Sequence, residues 1–304
     1  MTAPAPPPAA RGNVSVSEPI PYPKPADEDL DFFGLTHRGH VRKENQDHFL
    51  ICTLHKIMLV RSTSLPNPEL LEMPSQRLAS FSMVADGAGG LSGGETASRA
   101  AVEAIASYVT DTMRTFYRSD TTDDEVFLAA LTEAADRSHD AVVRRAEESG
   151  DPKGMATTLT LLLGVWPHLY ILQIGDSRYY RLRGGELTQL TRDQTMAQDL
   201  VDSGILPKAN VKRSPFAHVL SSSLGGTNRP EVTRNDIHPG DIQLLCTDGL
   251  TKHVSDERIK EVLSTLTSSE QACRTLIDDA LAEGGSDNVT VVVLRVKRPL
   301  KAEA

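Results

Sequence analysis

Four aspartates, distant from one another in the sequence, each lie beside an apolar segment: Asp47, Asp86, Asp248 and Asp287. Three of them directly precede or follow a run that is typical of a buried strand. A carboxylate at the end of a core strand is costly unless a cation or a hydrogen-bond donor meets it. We therefore expect a fold that brings these strand ends together around shared metal ions.

Composition and charge disfavour several classes of protein. The 304 residues allow one large or two modest domains, and the net charge of -9 argues weakly against a nucleic-acid partner, which usually needs a basic face. No apolar run reaches membrane-spanning length, and the N-terminus lacks the apolar core of a secretory signal. The three cysteines show no paired spacing, which fits a reducing compartment. We therefore expect a cytoplasmic protein without a membrane partner.

The sequence predicts one domain between two tails. Residues 1–28 are rich in proline and alanine and hold few large apolar side chains to offset the entropy of ordering, so we expect a disordered tail. The domain extends over residues 29–298, and residues 299–304 form a second tail. Within the domain, residues 61–78 contain three prolines and interrupt the path between two strands, so we interpret them as an inserted loop.

Periodicity predicts helices and strands in separate groups. A four-residue spacing of apolar side chains over residues 97–109 lines one face of a helix that begins near residues 92–95. A second helix begins near Thr122 and ends at Gly150, and a capping-box pattern at Ser268 starts a later one. Short apolar runs separated by turn residues predict antiparallel strands between them. These patterns favour an α+β fold of layered sheets and helices.

The carboxylates suggest a particular chemistry. Carboxylates that converge from several segments suit Mg²⁺ or Mn²⁺, two hard cations that prefer oxygen ligands. Two such ions about 3.5–4 Å apart can share a water and lower its pKa, and a phosphate ester is a natural target for the resulting nucleophile. Gly87 and Gly249, each after an aspartate, can let a carbonyl approach a cation, although Asp-Gly is also a common turn. Arg42 suits phosphate oxygens but also fits an ordinary surface position.

Eight short motifs follow one another in a recognisable order. They are VRKENQD (41–47), VADGAGGLSGGETAS (84–98), GMATTLT (154–160), IGDSRYY (174–180), LTRDQT (190–195), SSSLGG (221–226), LLCTDGL (244–250) and SDNVTVV (286–292). In this order, over about residues 31 to 297, the chain resembles the metal-dependent type 2C serine/threonine protein phosphatase family, in the manner of its bacterial members.

The resemblance implies a fold and a set of metal ligands. The fold would be a four-layer α-β-β-α sandwich, in which two central antiparallel sheets carry their metal-bearing ends to one cleft. Asp86, Asp248 and Asp287 would ligate one Mg²⁺ or Mn²⁺ ion. Asp47 and Asp86, with the Gly87 carbonyl, would serve a second ion directly or through water.

Further roles follow from the same resemblance. Arg42 would hold the substrate phosphate, and Asp176 would help to hold a third, weaker ion. Asn288 would position the loop that carries Asp287. Residues 193–215 resemble the mobile flap beside the cleft of the family.

The expected activity is the hydrolysis of phosphoserine and phosphothreonine in proteins by metal-activated water, without a covalent phosphoenzyme. Arg42, Asp47 and Asp86 are the predicted catalytic residues. The expected partners are phosphorylated proteins that a serine/threonine kinase has modified, which implies a role in signalling. The expected form is a monomer.

Two positions depart from the family pattern. Gln46 stands where many members have Glu, and its neutral amide would weaken the second cation site. Ala88 stands where eukaryotic members often have a histidine acid, so the leaving-group acid is unassigned; His253 is a conceivable substitute, although a surface helix position is the simpler interpretation. Gln46 also leaves open a phospho-dependent binding module without turnover. A metal-dependent nuclease or nucleotidase is a third alternative, which the acidic balance disfavours.

Overall fold

The computed structural model describes residues 22–58, 60, 62, 64, 73–88, 93–118, 124–150 and 154–297. The strands of these residues are β1 (Leu30–His37), β2 (Asp47–Met58), β3 (Met73–Ala88), β4 (Ala156–Thr157), β5 (Leu159–Val165), β6 (His168–Ile174), β7 (Arg178–Arg183), β8 (Glu186–Gln189), β9 (Glu231–Asp236), β10 (Ile242–Cys246) and β11 (Val289–Val296). The helices are α1 (Gly93–Arg118), α2 (Asp124–Ser149), α3 (Met196–Asp202), α4 (Asp248–Thr251), α5 (Asp256–Thr265) and α6 (Ser269–Ala282).

The strands form two antiparallel sheets. One sheet has the order β1-β11-β10-β7-β8, and the other has the order β2-β3-β5-β6-β9 with the short β4 paired to β3. Strands β5 and β11 are apolar runs that are buried along their whole length. A strand that is buried on both faces must have a layer of structure on each side of its sheet.

Three apolar clusters separate four layers. The first cluster lies between the two sheets and includes Val84, Leu162 and Val292. The second lies between the six-stranded sheet and helices α1 and α2, and the third lies between the five-stranded sheet and helices α4 to α6. The layers are therefore helix, sheet, sheet and helix, which confirms the predicted α+β sandwich.

Helices α1 and α2 begin close to the predicted positions, and α2 ends at its predicted end. Helix α1 begins at Gly93, and all four residues of the predicted apolar stripe between Ala97 and Val109 are buried. Helix α2 begins at Asp124, two residues after the predicted start, and is followed by Gly150, whose φ of 62° stops the helix. Among the described residues, the helices include none with both the length and the apolar character needed to cross a membrane.

The later elements are predicted less completely. The capping pattern before α6 is confirmed, because the Ser268 side chain accepts a hydrogen bond from the Gln271 N–H. Strand β9 gives no apolar run, since it is an edge strand with polar and partly exposed side chains. Helix α5 is short and mostly polar, and its start is marked by the Ser255 side chain, which accepts a hydrogen bond from Arg258. Sequence patterns missed both β9 and α5.

The predicted insertion at residues 61–78 is shorter at its C-terminal side. Strand β3 begins at Met73, so residues 73–78 belong to a strand, in which Gln76 is opposite Lys56 of β2. The pairing of this segment with β2 is irregular, with shifts of register on either side of the pair formed by Lys56 and Gln76. Residues 65–72 lie outside the described residues.

Part of the predicted N-terminal tail contacts the domain. The Arg77 side chain is only 7% exposed; it pairs with the Asp27 carboxylate and donates a hydrogen bond of 2.6 Å to the Pro25 carbonyl. A buried guanidinium needs such partners, which explains why residues 22–28 lie against β3. The remainder of the predicted tails, residues 1–21 and 299–304, lies outside the described part of the chain.

Candidate active site

Two strand ends from each sheet meet at one side of the sandwich. In the six-stranded sheet, Asp47 at the start of β2 lies directly opposite Asp86 near the end of β3. In the five-stranded sheet, Asp248 follows β10 and Asp287 precedes β11, and these strands are neighbours. The antiparallel pairing of each sheet therefore places its two aspartates side by side.

The structure brings all seven predicted site residues together. Six of them line one cleft: Arg42, Asp86, Gly87, Asp176, Asp248 and Asp287. The seventh, Asp47, is buried beside this cleft and is 3% exposed. Whether each residue binds a cation or a phosphate stays a prediction.

Asp47 connects the two sheets beneath the cleft. Its Oδ2 accepts hydrogen bonds of 2.8 Å from the hydroxyls of Thr247 and Thr290, which belong to the other sheet's side of the site. Its Oδ1 is buried and has no hydrogen-bond partner among the described residues. Burial raises the pKa of Asp47 to about 7 in spite of the two threonine hydrogen bonds, and the charges of Asp248 and Asp287 act in the same direction as burial.

Asp86 and Asp176 are also held in a setting that disfavours their charge. Burial, followed by the charge of Asp47, raises the pKa of Asp86 well above its usual range. Burial and the charge of Asp248 raise the pKa of Asp176 to about 8. The backbone of Asp86 is fixed by Thr158, whose hydroxyl accepts from the Asp86 N–H at 3.0 Å and whose N–H donates to the Asp86 carbonyl at 2.9 Å.

Asp287 has cationic partners that Asp47 lacks. The Arg42 Nε and Nη2 atoms lie 2.7 and 2.8 Å from its two carboxylate oxygens, and the Lys252 Nζ lies 2.7 Å from its Oδ2. Burial alone would raise the pKa of Asp287, but the hydrogen bonds from Arg42 and Lys252 outweigh burial and lower it. The same Lys252 Nζ lies 2.7 Å from Asp248 Oδ2. Asp248 Oδ1 is buried without a partner in the described structure.

Asn288 fixes the loop that carries Arg42. Its amide nitrogen donates to the carbonyls of Arg38 and Glu44 at 2.8 and 2.9 Å, and its carbonyl oxygen accepts from the Gln46 N–H at 2.9 Å. Three hydrogen bonds from one buried side chain hold residues 38–46 against the start of β11. The loop of Asp287 and the loop of Arg42 are thus joined by one amide.

Two glycines allow close backbone contacts at the site. A Cβ on Gly87 would collide with the carbonyl oxygen of Gly94 and would lie 2.8 Å from that of Gln46. A Cβ on Gly249 would collide with the Asn288 carbonyl oxygen. Neither glycine has a positive φ. The Asp-Gly pairs are therefore explained by space rather than by a left-handed turn.

The chemistry of the cluster fits hard divalent cations. It holds five carboxylates against two cationic side chains, Arg42 and Lys252, and two buried carboxylate oxygens have no hydrogen-bond partner in the described residues. Oxygen ligands with excess negative charge suit Mg²⁺ and Mn²⁺. As they stand, however, the described residues contain no group of three or more His, Cys, Asp or Glu side chains that could hold one ion.

Two cleft residues were missed by sequence reasoning. Lys252 follows Asp248 by four residues on a helical turn, a spacing that brings side chains together and could have indicated the contact. His218 lies across the cleft with its Nδ1 3.9 Å from Asp248 Oδ2 and with 66% of its side chain exposed. No motif surrounds His218 in the sequence, so only the fold reveals its place.

His253, the conceivable leaving-group acid, is engaged outside the cleft. Its Nε2 lies 2.9 Å from the Ser286 hydroxyl and accepts a hydrogen bond of 3.0 Å from the Ser286 N–H. Since Nε2 accepts from a backbone N–H, this atom is not available to donate a proton in the same arrangement. The simpler interpretation, a structural histidine, agrees with these contacts.

The predicted flap lies next to the cleft. Of residues 193–215, Asp193, Thr195, Val211 and Lys212 line a second pocket. This pocket shares Asp176, His218, Asp248 and Lys252 with the cleft, so the two spaces adjoin each other.

Comparison with known proteins gives a consistent relationship. A family model described as protein phosphatase 2C matches residues 73–283. The serine/threonine protein phosphatase PstP of Mycobacterium tuberculosis (strain CDC 1551 / Oshkosh) is 40% identical over 217 residues, which are 70% of this chain and 40% of PstP. The chain therefore aligns with less than half the length of that relative.

Solved structures share the fold over nearly their whole length. The crystal structure of the Mycobacterium tuberculosis phosphatase PstP/Ppp has a TM-score of 0.70 and 32% identity, and the match covers 88% of this chain and 99% of that one. The structure of the PstP catalytic domain in complex with two manganese ions has a TM-score of 0.68 and 33% identity, with 88% and 98% covered.

Proposed function

Because the chain belongs to the protein phosphatase 2C family, we propose that it hydrolyses phosphoserine and phosphothreonine esters in proteins with the aid of Mg²⁺ or Mn²⁺. The observation that carries this proposal is the convergence of four aspartates and Arg42 on one cleft, with a fifth aspartate, Asp47, buried beside it, from strand ends of both sheets. The two manganese ions of the related PstP structure support the choice of cation.

We propose that the aspartates of the cluster hold two cations and help to hold a third. Asp86, Asp248 and Asp287 would hold the first ion, and Asp47 and Asp86 with the Gly87 carbonyl would hold the second. Asp176 would help to hold a third. When bound, these ions supply charge that stabilises phosphate oxygens and lowers the pKa of the attacking water.

We propose that Arg42 binds the substrate phosphate. Its side chain is 54% exposed at the cleft while its Nε and Nη2 donate to Asp287. A guanidinium has five N–H donors, so the remaining ones can contact a phosphate without loss of the Asp287 pair. Asp287 thus orients Arg42, and Asn288 fixes the loop on which Arg42 lies.

Substitution of the cleft carboxylates tests the proposal. We expect Asp86→Asn and Asp248→Asn to reduce Mn²⁺-dependent hydrolysis of p-nitrophenyl phosphate and of a phosphothreonine peptide by at least about 100-fold, because each substitution removes a charged ligand. EDTA should abolish the activity of the unchanged protein. The exposed Asp140→Asn on α2 is the matched control and should leave hydrolysis unchanged.

The outcomes separate the proposal from its alternatives. Circular dichroism should show that the variants keep the fold. Equal hydrolysis by Asp86→Asn and the unchanged protein would refute the assignment. Phosphopeptide binding without any release of phosphate, even with added Mn²⁺, would favour the phospho-dependent binding module.

We propose in addition that the protein acts as a monomer in the cytoplasm, on proteins that a serine/threonine kinase has phosphorylated, and so takes part in signalling. Free thiols at Cys52, Cys246 and Cys273 support a reducing compartment. The open cleft, with exposed Arg42 and His218 at its margin, suits a phosphorylated side chain on a protein surface.

A further inference from the structure

Lys252 occupies the centre of the cluster that the cations are expected to bind. Helix α4 begins at Asp248, and the Lys252 N–H donates to the Asp248 carbonyl at 2.9 Å, which closes one helical turn. This turn directs the Lys252 side chain back over Asp248. Its Nζ lies 2.7 Å from Asp248 Oδ2 and 2.7 Å from Asp287 Oδ2.

The ammonium group uses the same oxygens that the first cation would need. Asp248 and Asp287 come from different segments of the chain, and Lys252 bridges them with hydrogen bonds of charge-assisted length. Mg²⁺ requires oxygens at about 2.0–2.1 Å in a nearly octahedral arrangement. An ammonium at hydrogen-bond distance from both carboxylates competes with such an ion for the same oxygens, and its charge repels one.

The arrangement of the other carboxylates and the pocket beside Lys252 agree with competition between the ammonium and a cation. In the described chain, no three acidic, histidine or cysteine side chains are arranged to hold an ion, although the five carboxylates lie around one cleft. The side chain of Lys252 is 24% exposed and also lines the second pocket, beside the flap. This adjoining pocket gives the ammonium a place to move when it leaves the carboxylates.

We propose that Lys252 is a tethered counter-ion that holds Asp248 and Asp287 together in the cation-free protein and competes with Mg²⁺ or Mn²⁺ for them. Binding of the first ion displaces the ammonium into the adjoining pocket. This inference deepens the proposed function and rests on its assignment of Asp248 and Asp287 as ligands. It makes cation affinity a property that one side chain outside the predicted ligand set controls.

Lys252→Met tests the competition, because methionine keeps most of the side-chain length and removes the charge. We expect Mn²⁺, measured by isothermal titration calorimetry and by electron paramagnetic resonance, to bind Lys252→Met at least about tenfold more tightly than the unchanged protein. The melting temperature of Lys252→Met in EDTA should be lower, since two carboxylates lose their counter-ion. The rise in melting temperature on addition of Mn²⁺ should be larger.

Two further variants complete the experiment. Lys260→Met removes an exposed lysine of α5 and should change neither Mn²⁺ affinity nor melting temperature. Lys252→Gln keeps a hydrogen-bond donor without charge, so it should also bind Mn²⁺ more tightly, and it serves if Lys252→Met does not fold without cations. Mn²⁺ affinity of both Lys252 variants within twofold of the unchanged protein, or weaker, would overturn the inference.

The result is separable from the proposed function. Tighter Mn²⁺ binding by Lys252→Met, together with no release of phosphate by any form of the protein, would support the competition and reject the hydrolase. Normal Mn²⁺-dependent hydrolysis by the unchanged protein, together with unaltered affinity in both variants, would reject the competition alone.

Discussion

Asp47 and Asp287 carry the same functional group in opposite electrostatic settings. Asp47 has two neutral threonine donors and a buried oxygen without a partner in the described residues, and its pKa is raised to about 7. Asp287 has Arg42 and Lys252, and its pKa is lowered. At the residue scale the cleft is thus divided into a half that lacks positive charge and a half that already has it.

This division predicts the pH dependence of the cation-free protein. A carboxyl group whose pKa is raised by folding binds more protons in the folded state than in the unfolded state. The free energy of unfolding therefore falls as the pH rises above the pKa of the unfolded carboxyl groups, near 4. The fall continues until the pH passes the folded-state pKa values, about 7 for Asp47 and about 8 for Asp176. Urea denaturation in EDTA between pH 4.5 and pH 8 should show this fall, and Asp47→Asn should reduce its slope.

Asp140→Asn is the comparison that isolates the cluster, because Asp140 is exposed on α2 and does not line the cleft. Saturating Mn²⁺ should reverse the loss of stability above pH 7, because cations bind the deprotonated carboxylates. Identical slopes of the free energy of unfolding against pH, for the unchanged protein and for Asp47→Asn, would contradict the predicted contribution of Asp47.

Sequence reasoning identified the carboxylates but not their partners. The aspartates stand out because a charge beside an apolar strand needs a reason. Lys252 and His218 have no such contrast with their surroundings in the sequence, and their contacts depend on where side chains point after folding. The positions of charges were therefore predictable, whereas their pairing was not.

At the scale of elements, the site depends on strand ends that approach each other closely. Helix α4 follows β10 at Asp248, and Gly249 faces the Asn288 carbonyl oxygen at the start of β11. No side chain fits between these two backbones. The distance between Asp248 and Asp287 is therefore limited by the packing of α4 against the segment before β11.

Gly249→Ala should separate these elements. The added Cβ collides with backbone rather than with a movable side chain, so α4 must shift, and we expect Mn²⁺ affinity to fall at least about tenfold with a lower melting temperature. Gly150→Ala is the control: it strains a left-handed turn that has open space around it. That variant should lose about 1 kcal/mol of stability and keep its Mn²⁺ affinity. Normal affinity in Gly249→Ala would show that the contact does not set the site.

The sequence predicted the elements that are buried on one face or on both faces. It missed elements that have mixed polarity and are only partly buried. The apolar stripe of α1 and the apolar runs of β5 and β11 correspond directly to the surfaces that each element buries. Strand β9 lies at a sheet edge with mixed polarity, so its pairing with β6 leaves little trace in its composition. The start of β3 was likewise hidden, because prolines and polar residues obscured a strand that pairs with β2.

At the scale of the whole molecule, the site is where the two sheets are joined by polar contacts. Asp47 of one sheet accepts hydrogen bonds from Thr290 of β11 in the other, and from Thr247 just after β10. Elsewhere the sheets meet through an apolar cluster that includes Leu162, Leu245 and Val292. A directional contact within this layer fixes how one sheet lies on the other.

Thr290→Val should weaken this joint without changing side-chain volume. It leaves the buried Asp47 carboxylate with one donor fewer, so we expect the free energy of unfolding in EDTA to fall by about 1–3 kcal/mol. The same substitution at Thr132, whose hydroxyl is exposed on α2, should cost less than about 0.5 kcal/mol. Equal losses of unfolding free energy at the two positions, measured by urea denaturation, would mean that the hydrogen bond between the sheets adds no more stability than a surface hydroxyl.

The order of layers was predictable from the sequence, but the register between neighbouring strands was not. Strand and helix patterns indicated layers, and the order of motifs implied which ends meet. The opposition of Asp47 and Asp86 depends on pairing between β2 and β3, which includes shifts of register between Leu54 and Met58. Such shifts are set by backbone geometry and have no simple signature in composition.

The contact of Arg77 with Asp27 and Pro25 also fixes where residues 22–28 lie on the domain. Arg77 and Asp86 lie on one strand, nine residues apart, which corresponds to about 30 Å. Residues 22–28 consequently contact the domain far from the cleft. A label attached within residues 22–28 would accordingly lie on the side of the domain away from the cleft.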